Sequence, residues 1–366
     1  MSPSASAVSA SAAPRLGRVV VAMSGGVDSS VTALLLQARG LEVVGVTLHL
    51  WDADGAQKVG RCCAPEDRDD ARRVCDHLGI PHYVVDERAL FRERVVDPFV
   101  AAYAAGTTPA PCVQCNQHVK LTRLVALADA FGATHVATGH YARIAYDTAG
   151  APRLLRGRDP EKDQSYFLFG ATSALLSRLL FPLGEMTKDE TRAAGRAQSL
   201  PTSDKPDSQE LCFVPDGDVG SFVERAGASA AQGSIVDESG AVLGAHAGVH
   251  RFTVGQRRGL GLAGGAPPRY VLRIVNDTGD VVVGPDSALA ATTLRARDVA
   301  WTLARPDAPF DGEVRVRHRH TPAAARITPT DDGFEAEFVE AQRAVTPGQA
   351  AVVYRGEEVV AGGFII

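Results

Sequence analysis

The chain has 366 residues, 45% of them hydrophobic and 22% charged, which is enough for two or three soluble domains, each with its own core. With 38 Lys+Arg against 43 Asp+Glu the formal net charge is −5, so a nucleic-acid partner would have to be met by a local basic surface. No apolar run approaches the ~18 residues that cross a bilayer, which leaves out a membrane-spanning class.

Met1 to Pro14 is Ser/Ala-rich, without charge and without the apolar stretch of a signal peptide. It reads as part of a disordered leader over 1–16, and the expected compartment is the cytoplasm. The run Arg18 to Ala22 predicts a buried parallel strand, and Val31 to Arg39 predicts a helix closed by Gly40. Between them lies Met23-Ser24-Gly25-Gly26-Val27-Asp28-Ser29-Ser30. A strand, a tight Ser-Gly-Gly turn and a helix start make an anion cradle. The glycines let backbone approach an anion, and the helix N-terminus favours negative charge. No Gly-Lys-Ser/Thr follows, so this is not the nucleoside-triphosphatase loop.

Strands are predicted at Val43 to Leu48, Ile80 to Val85 and Thr134 to Thr138, and helices at Glu66 to Leu78, Phe91 to Ala105 and Val119 to Phe131. This alternation implies an N-terminal doubly wound parallel sheet over 17–216, with ligands beyond the carboxyl ends of its strands. The Ser24 turn, the region after Leu48, and Gly139-His140 all fall there. From about Gly217 the segments shorten and turn residues multiply. Strands are expected at Val281 to Val283, Val314 to His318, Gly333 to Val339, Ala351 to Tyr354 and Val359-Val360. The reading is α/β followed by a small β-rich linking domain over 217–290 and a C-terminal β-barrel over 291–366.

Two segments are locally basic. Ser239 to Asn276 holds Arg251, Arg257, Arg258, Arg269 and Arg273 and no acid, and Arg315 to His320 alternates charge like a strand with one basic face. The six cysteines of a large cytosolic chain argue for buried apolar, metal-binding or reactive roles rather than a disulfide scaffold. Cys62, Cys63 and Cys75 read as structural. Cys112-Val113-Gln114-Cys115 follows Thr108-Pro109-Ala110-Pro111, and the prolines are expected to hold it extended on a rigid loop. Such a pair fits a redox dithiol, half a zinc site, part of an iron–sulfur site, or a nucleophile with an auxiliary thiol. Cys212, between Leu211 and Phe213, reads by itself as a buried cysteine, and spacing does not pair it with Cys115.

The pattern Ser-Gly-Gly-x-Asp-Ser at Ser24 to Ser29 resembles the pyrophosphate-binding loop of the ATP pyrophosphatase (PP-loop) superfamily, in which ATP is cut between its α and β phosphates. Further stretches make the resemblance more specific: Arg61-Cys62-Cys63, Asp70 to Val74, Pro111 to Asn116, Ala137 to Tyr141, Lys162 to Leu168, Asp207 to Pro215, Thr253 to Gly261 and Thr346 to Gln349. From about Gly17 to Ile366 the chain is similar to the tRNA-specific 2-thiouridylases. The resemblance implies ATP-dependent 2-thiolation of the wobble uridine of tRNA. Its cofactors would be ATP and Mg²⁺, and its partners the tRNA anticodon arm and a persulfide-donating sulfur carrier or cysteine desulfurase. ATP would be held by Ala22, Met23, Ser24, Gly25, Gly26, Val27, Asp28, Ser29, Leu48 and Gly139. The tRNA would be touched by His140, Lys162, Asp163, Gln164, Arg317, His318 and Gln349, with Arg257 and Arg258 adding a basic surface. Cys115 would be the first catalytic cysteine and Cys212 the persulfide carrier, and turnover would end in a Cys115–Cys212 disulfide.

One position departs from the pattern. Many relatives carry Asp where this chain has Cys112, a candidate general base. The thiol removes that base and makes Cys112, Cys115 and Cys212 a possible three-cysteine [4Fe–4S] ligand set. Two rival functions are a small-molecule amide ligase of the same superfamily, which would need no cysteine, and a non-catalytic tRNA-binding sulfur carrier.

Overall fold

The computed structural model describes residues 17–52, 65–207, 211–214, 217–228, 232–262 and 267–366. The leader, Cys62 and Cys63, residues 208–210 and Pro215 lie outside the described residues.

The first half builds β1 (Arg18–Ala22), α1 (Val27–Ala38), β2 (Glu42–His49), α2 (Pro65–Leu78) and β3 (His82–Asp86). Next come α3 (Arg88–Phe91), a π-helical turn (Arg92–Val96) and α4 (Asp97–Ala104), then α5 (Pro111–Cys115), a second π turn (Asn116–Lys120), α6 (Leu121–Ala130) and β4 (His135–Ala137). The hairpin β5 (Ala142–Tyr146) and β6 (Pro152–Arg156) precedes α7 (Ser173–Leu176), β7 (Leu179–Leu180) and α8 (Lys188–Ala197). Five strands form one sheet in the order β3-β2-β1-β4-β7, all parallel. Its central strands are apolar on both faces because helices cover both. Val20, Val44 and Val136 pack with Leu121, Leu124 and Ala128 of α6 on one side. Val19, Val21 and Val43 pack with Val31 and Leu36 of α1 and Val74 and Cys75 of α2 on the other. Strand order reverses between β1 and β4, so a crevice opens beyond their carboxyl ends.

The middle part holds α9 (Val219–Arg225), β8 (Gly233–Val236), β9 (Val242–His246), β10 (Tyr270–Val275) and β11 (Asp280–Gly284), with the sheet ordered β10-β11-β8-β9. The last part holds β12 (Ala290–Trp301), β13 (Phe310–Arg315), β14 (Ala323–Pro329), β15 (Gly333–Arg343), β16 (Ala350–Arg355) and β17 (Glu358–Ile365). Pairing of β12 with β17 closes these strands into a barrel around Val314, Ile327, Phe334, Val353 and Ala361. The architecture is thus an α/β domain, a small β domain and a closed β-barrel.

Two local expectations are corrected, and one element was not anticipated. Cys112 to Cys115 is helical, not extended, because Pro111 occupies the first turn, where a missing N–H costs nothing. The strand through Arg315 stops there, and 316–320 turns away, so Arg317 and His318 are not on a strand face. The hairpin β5–β6 went unread. It lies within the N-terminal half of the chain but pairs with β17 of the barrel through Leu155 and Glu358, which joins the two domains by a continuous sheet.

Candidate active site

β1 delivers the chain to the crevice and the glycine turn reverses it. Met23 N–H is taken by Val46 O of β2 (2.8 Å), which fixes where the turn begins. Gly25 has φ 74°, and a Cβ there would sit 2.0 Å from Asp67 O of α2, so only glycine fits. Gly26 is the N-cap of α1 and offers no side-chain cap, which leaves the helix start to an incoming anion. Ser24 N–H donates to Ser29 Oγ (3.2 Å), and Ser29 Oγ donates to Gly26 O (3.0 Å), so the turn is braced internally. Gly139, after β4, closes the other side. A Cβ there would lie 2.9 Å from Asp28 Cβ and 3.0 Å from Ser29 N.

An ionic frame surrounds this turn. Lys188 Nζ donates to both Asp28 oxygens (2.8 and 2.8 Å) and pairs with Asp207 (2.8 Å). Tyr141 OH donates to Asp28 (2.8 Å), and Lys162 and Arg192 donate to Asp207 (2.8 Å each). Burial opposes ionisation of Asp207, but the bonds from Lys162 and Lys188 outweigh it and bring its carboxyl down to about 2. Burial, and then Asp28, hold the Tyr141 phenol protonated. Lys205 donates to Gly25 O (3.1 Å) and to Asp67 and Asp70. These bonds outweigh the burial of its ammonium and raise its pKa. Sequence reasoning missed Lys188, Tyr141 and Lys205. The one available signal was the capping box of Thr187 and Glu190, which starts α8 at Lys188.

A cleft of about 1310 Å³ spans the α/β domain and the barrel. Its wall includes Ala22, Met23, Ser24, Gly26, Val27, Asp28, Ser29, Leu48 and Gly139, while Gly25 lies behind it against α2. Cys112, His140, Lys162, Asp163, Gln164 and His318 line the same cleft. His140 accepts or donates at Nδ1 with Thr138 Oγ1 (2.7 Å), and burial, followed by nearby Lys120, holds its imidazole neutral. His318 lies tilted on Phe167 at 4.5 Å between ring centres and is likewise held below its usual pKa by burial and by Arg315.

Other predicted contacts are placed differently. Asp163 is 3% exposed and accepts from Gly157 N–H (3.1 Å), Ser165 N–H (3.0 Å) and Arg315 (3.0 Å), so it pins the cleft wall to the barrel. Gln164 Oε1 accepts Tyr141 N–H (3.0 Å). Arg317 reaches Arg343 O (3.1 Å), and the Gln349 amide reaches Thr108 O and Pro109 O (3.1 and 3.0 Å). Arg257 and Arg258 are exposed on the middle domain, away from the cleft wall. Arg251 of the same segment is paired with Glu224.

Two cysteines far apart in the chain border one apolar cluster. Cys115 is 4% exposed and sits in an apolar cluster with Phe91, Phe99, Val119, Phe213 and Val214. Cys212, half-buried, packs against that same cluster. Cys112 is on the same short helix as Cys115 but exposed toward the cleft. Among the described residues no group of three or more His, Cys, Asp or Glu side chains is gathered as a metal site, so the three-thiol ligand set is not assembled in this conformation. Cys75 is core, and burial pushes its thiol up to about 12. Among the described residues no helix is long and apolar enough to cross a membrane.

A parallel sheet with a bare glycine turn at its switch point defines an ATP-binding α/β domain of the PP-loop type. Residues 17–216 match the family described as tRNA methyl transferase HUP domain, residues 220–285 its PRC-barrel domain, and residues 291–365 the aminomethyltransferase β-barrel domain. The chain is 54% identical over 359 residues to the tRNA-specific 2-thiouridylase MnmA of Sorangium cellulosum, spanning 95% of this chain and 92% of that one. It is 48% identical over 367 residues to the protein of the same name from Solibacter usitatus, spanning 95% and 98%. The NMN synthetase of Francisella tularensis aligns with 52% of this chain and 66% of its own at 20% identity and a TM-score of 0.32. The chain belongs to the tRNA-specific 2-thiouridylase family.

Proposed function

We propose that this chain thiolates C2 of the wobble uridine of tRNA at the expense of ATP, with Cys115 and Cys212 carrying the sulfur chemistry. The observation that supports it is the packing of Cys115 and Cys212 on one apolar cluster, members of which line the same cleft as the glycine turn.

A uridine C2 carbonyl is a poor electrophile and its oxygen a poor leaving group. The chain meets that difficulty by holding ATP at the α1 start, so that the uridine oxygen attacks the α-phosphorus and pyrophosphate leaves. Mg²⁺ would arrive with the triphosphate and screen its charge; Asp28 is the carboxylate of the loop, but its oxygens already hold Lys188 and Tyr141, so it would stand near the ion and bind it only by giving up one of those partners. Neutral His140 and the mutually tilted rings of Phe167 and His318 give the cleft aromatic surfaces suited to an unstacked base.

A Cys212 persulfide, loaded by a sulfur carrier or desulfurase, then delivers its terminal sulfur to C2, and the C2–O bond breaks to release AMP. Cys115 thiolate attacks the Cys212 sulfur, the S–S bond to the base breaks, and the 2-thiouridine departs. Alternatively Cys115 first displaces hydrosulfide, which attacks C2. Either order leaves a Cys115–Cys212 disulfide that an external thiol must reduce.

Asp163 and Gln164 serve this cleft as braces, whereas Lys162, His140, His318, Arg257, Arg258 and Arg317 are the residues assigned to tRNA. The compartment proposed is the cytoplasm. The test is mass spectrometry of tRNA nucleosides after reaction with ATP and a sulfide source. Wild type should form 2-thiouridine, while Cys115→Ala and Cys212→Ala should not, although both still bind tRNA. Retained activity in both variants overturns the sulfur assignment and favours a cysteine-independent ligase. Iron and acid-labile sulfide in active, anaerobically purified enzyme would revive the Cys112, Cys115, Cys212 cluster.

A further inference from the structure

The helix that carries Cys112 and Cys115 is launched from a segment gripped by both other domains. Gln349, in the barrel turn before β16, donates its amide to Thr108 O (3.1 Å) and Pro109 O (3.0 Å). Pro347 O of the same turn accepts Thr108 N–H (3.2 Å). Gly348 approaches so closely, at φ 89°, that an added Cβ would lie 2.5 Å from Thr107 Cγ2 and 2.7 Å from Thr108 O. From the other side the middle domain bonds Thr108 Oγ1 to Thr253 Oγ1 (3.2 Å), and a Cβ on Gly106 would meet Ile274 Cγ2 at 2.7 Å.

The chemistry of the segment explains why a glutamine stands there. Pro109 and Pro111 have no N–H, so this stretch is poor in donors and is anchored largely through its carbonyls. A primary amide carries two N–H donors and can serve two adjacent carbonyls at once. One turn onward Pro111 opens α5, and Cys112 and Cys115 follow. Any slack at 107–109 is therefore passed to both thiols.

We propose that Gln349 is a positioning residue for the thiol-bearing helix. Its amide holds the carbonyls of Thr108 and Pro109, and the barrel thereby sets the place of Cys115. This rests on the sulfur-transfer reading above, since it assigns Gln349 a task in that reaction.

The test uses the full-length chain and Gln349→Met, which keeps the stem and removes both donors. Three quantities are read: kcat at saturating tRNA, KM for tRNA, and the rate of iodoacetamide labelling of Cys115 by peptide mass spectrometry. The expected result is a kcat lower by about tenfold or more, an unchanged KM, and faster labelling of Cys115 as its cluster loosens. Thr253→Val, which releases the same segment from the middle domain, should shift the same quantities in the same direction and serves if Gln349→Met does not fold. A raised KM with wild-type kcat and wild-type labelling would make Gln349 an RNA contact and overturn the proposal. If wild type makes no 2-thiouridine, the sulfur-transfer reading fails by itself, and the labelling rates still decide whether Gln349 holds the helix.

Discussion

Lys188 is the keystone of the ionic frame behind the glycine turn, and its replacement by methionine gives a worked test. Methionine is similarly long and unbranched, so packing beside the Tyr141 ring, 5.8 Å from Nζ, is largely kept. The charge is not. Nζ stands 2.8 Å from both Asp28 oxygens and 2.8 Å from Asp207. Without it Asp28 retains the Tyr141 hydroxyl, and Asp207 retains Lys162 and Arg192. Removing one partner of a fully buried pair costs about 3–5 kcal/mol, because the other charge is stranded. The Asp28 and Asp207 side chains are 32% and 27% exposed, so water relieves part of that, and about 2–3 kcal/mol is expected. At about 2–4 °C per kcal/mol, the α/β domain should melt roughly 5–10 °C lower by scanning calorimetry. In an Asp28→Asn background the same substitution should cost about 1 kcal/mol less or better, since the stranded charge is gone. An unchanged melting midpoint, or an equal loss in both backgrounds, refutes the electrostatic argument.

Two further outcomes follow from the same site. Gly139→Ala sets a methyl 2.9–3.0 Å from Asp28 and Ser29 backbone or Cβ atoms, so the first turn of α1 must shift. ATP affinity by calorimetry should fall by about tenfold or more, and a wild-type Kd would show that the turn tolerates the displacement. Asp207, with its folded-state pKa held down to about 2, contributes stability that is complete above the usual carboxylate pKa of about 4 and is lost as pH falls through about 2. The stability gap between wild type and Asp207→Asn in urea unfolding should therefore be constant near neutrality and narrow in acid. A gap that does not narrow would place its origin outside the ionisation of Asp207.

Local chemistry made much of the molecule readable. A strand, a glycine turn and a helix follow one another within Arg18 to Arg39, so this unit could be located from adjacent residues alone. Strand–helix alternation gave the parallel sheet, and short strands between turn residues gave the two β domains. The Cys112 segment was misread because proline was weighed only as a helix breaker, although in the first turn of a helix it costs nothing. The basic run after Arg315 was misread because alternation in charge says nothing about where a strand stops.

The linear order of residues by itself determined the strand–glycine turn–helix unit, the three-part architecture and the family. Each rests on neighbours in the chain or on patterns of short period. Only the tertiary structure decided that Lys188 bridges Asp28 and Asp207, that Asp163 is a buried brace, that a barrel turn grips the approach to Cys112, and that Cys115 shares a cluster with Cys212. Those are meetings of side chains far apart along the backbone. Their partners are chosen by how sheets and helices stack around shared cores, which no local pattern encodes.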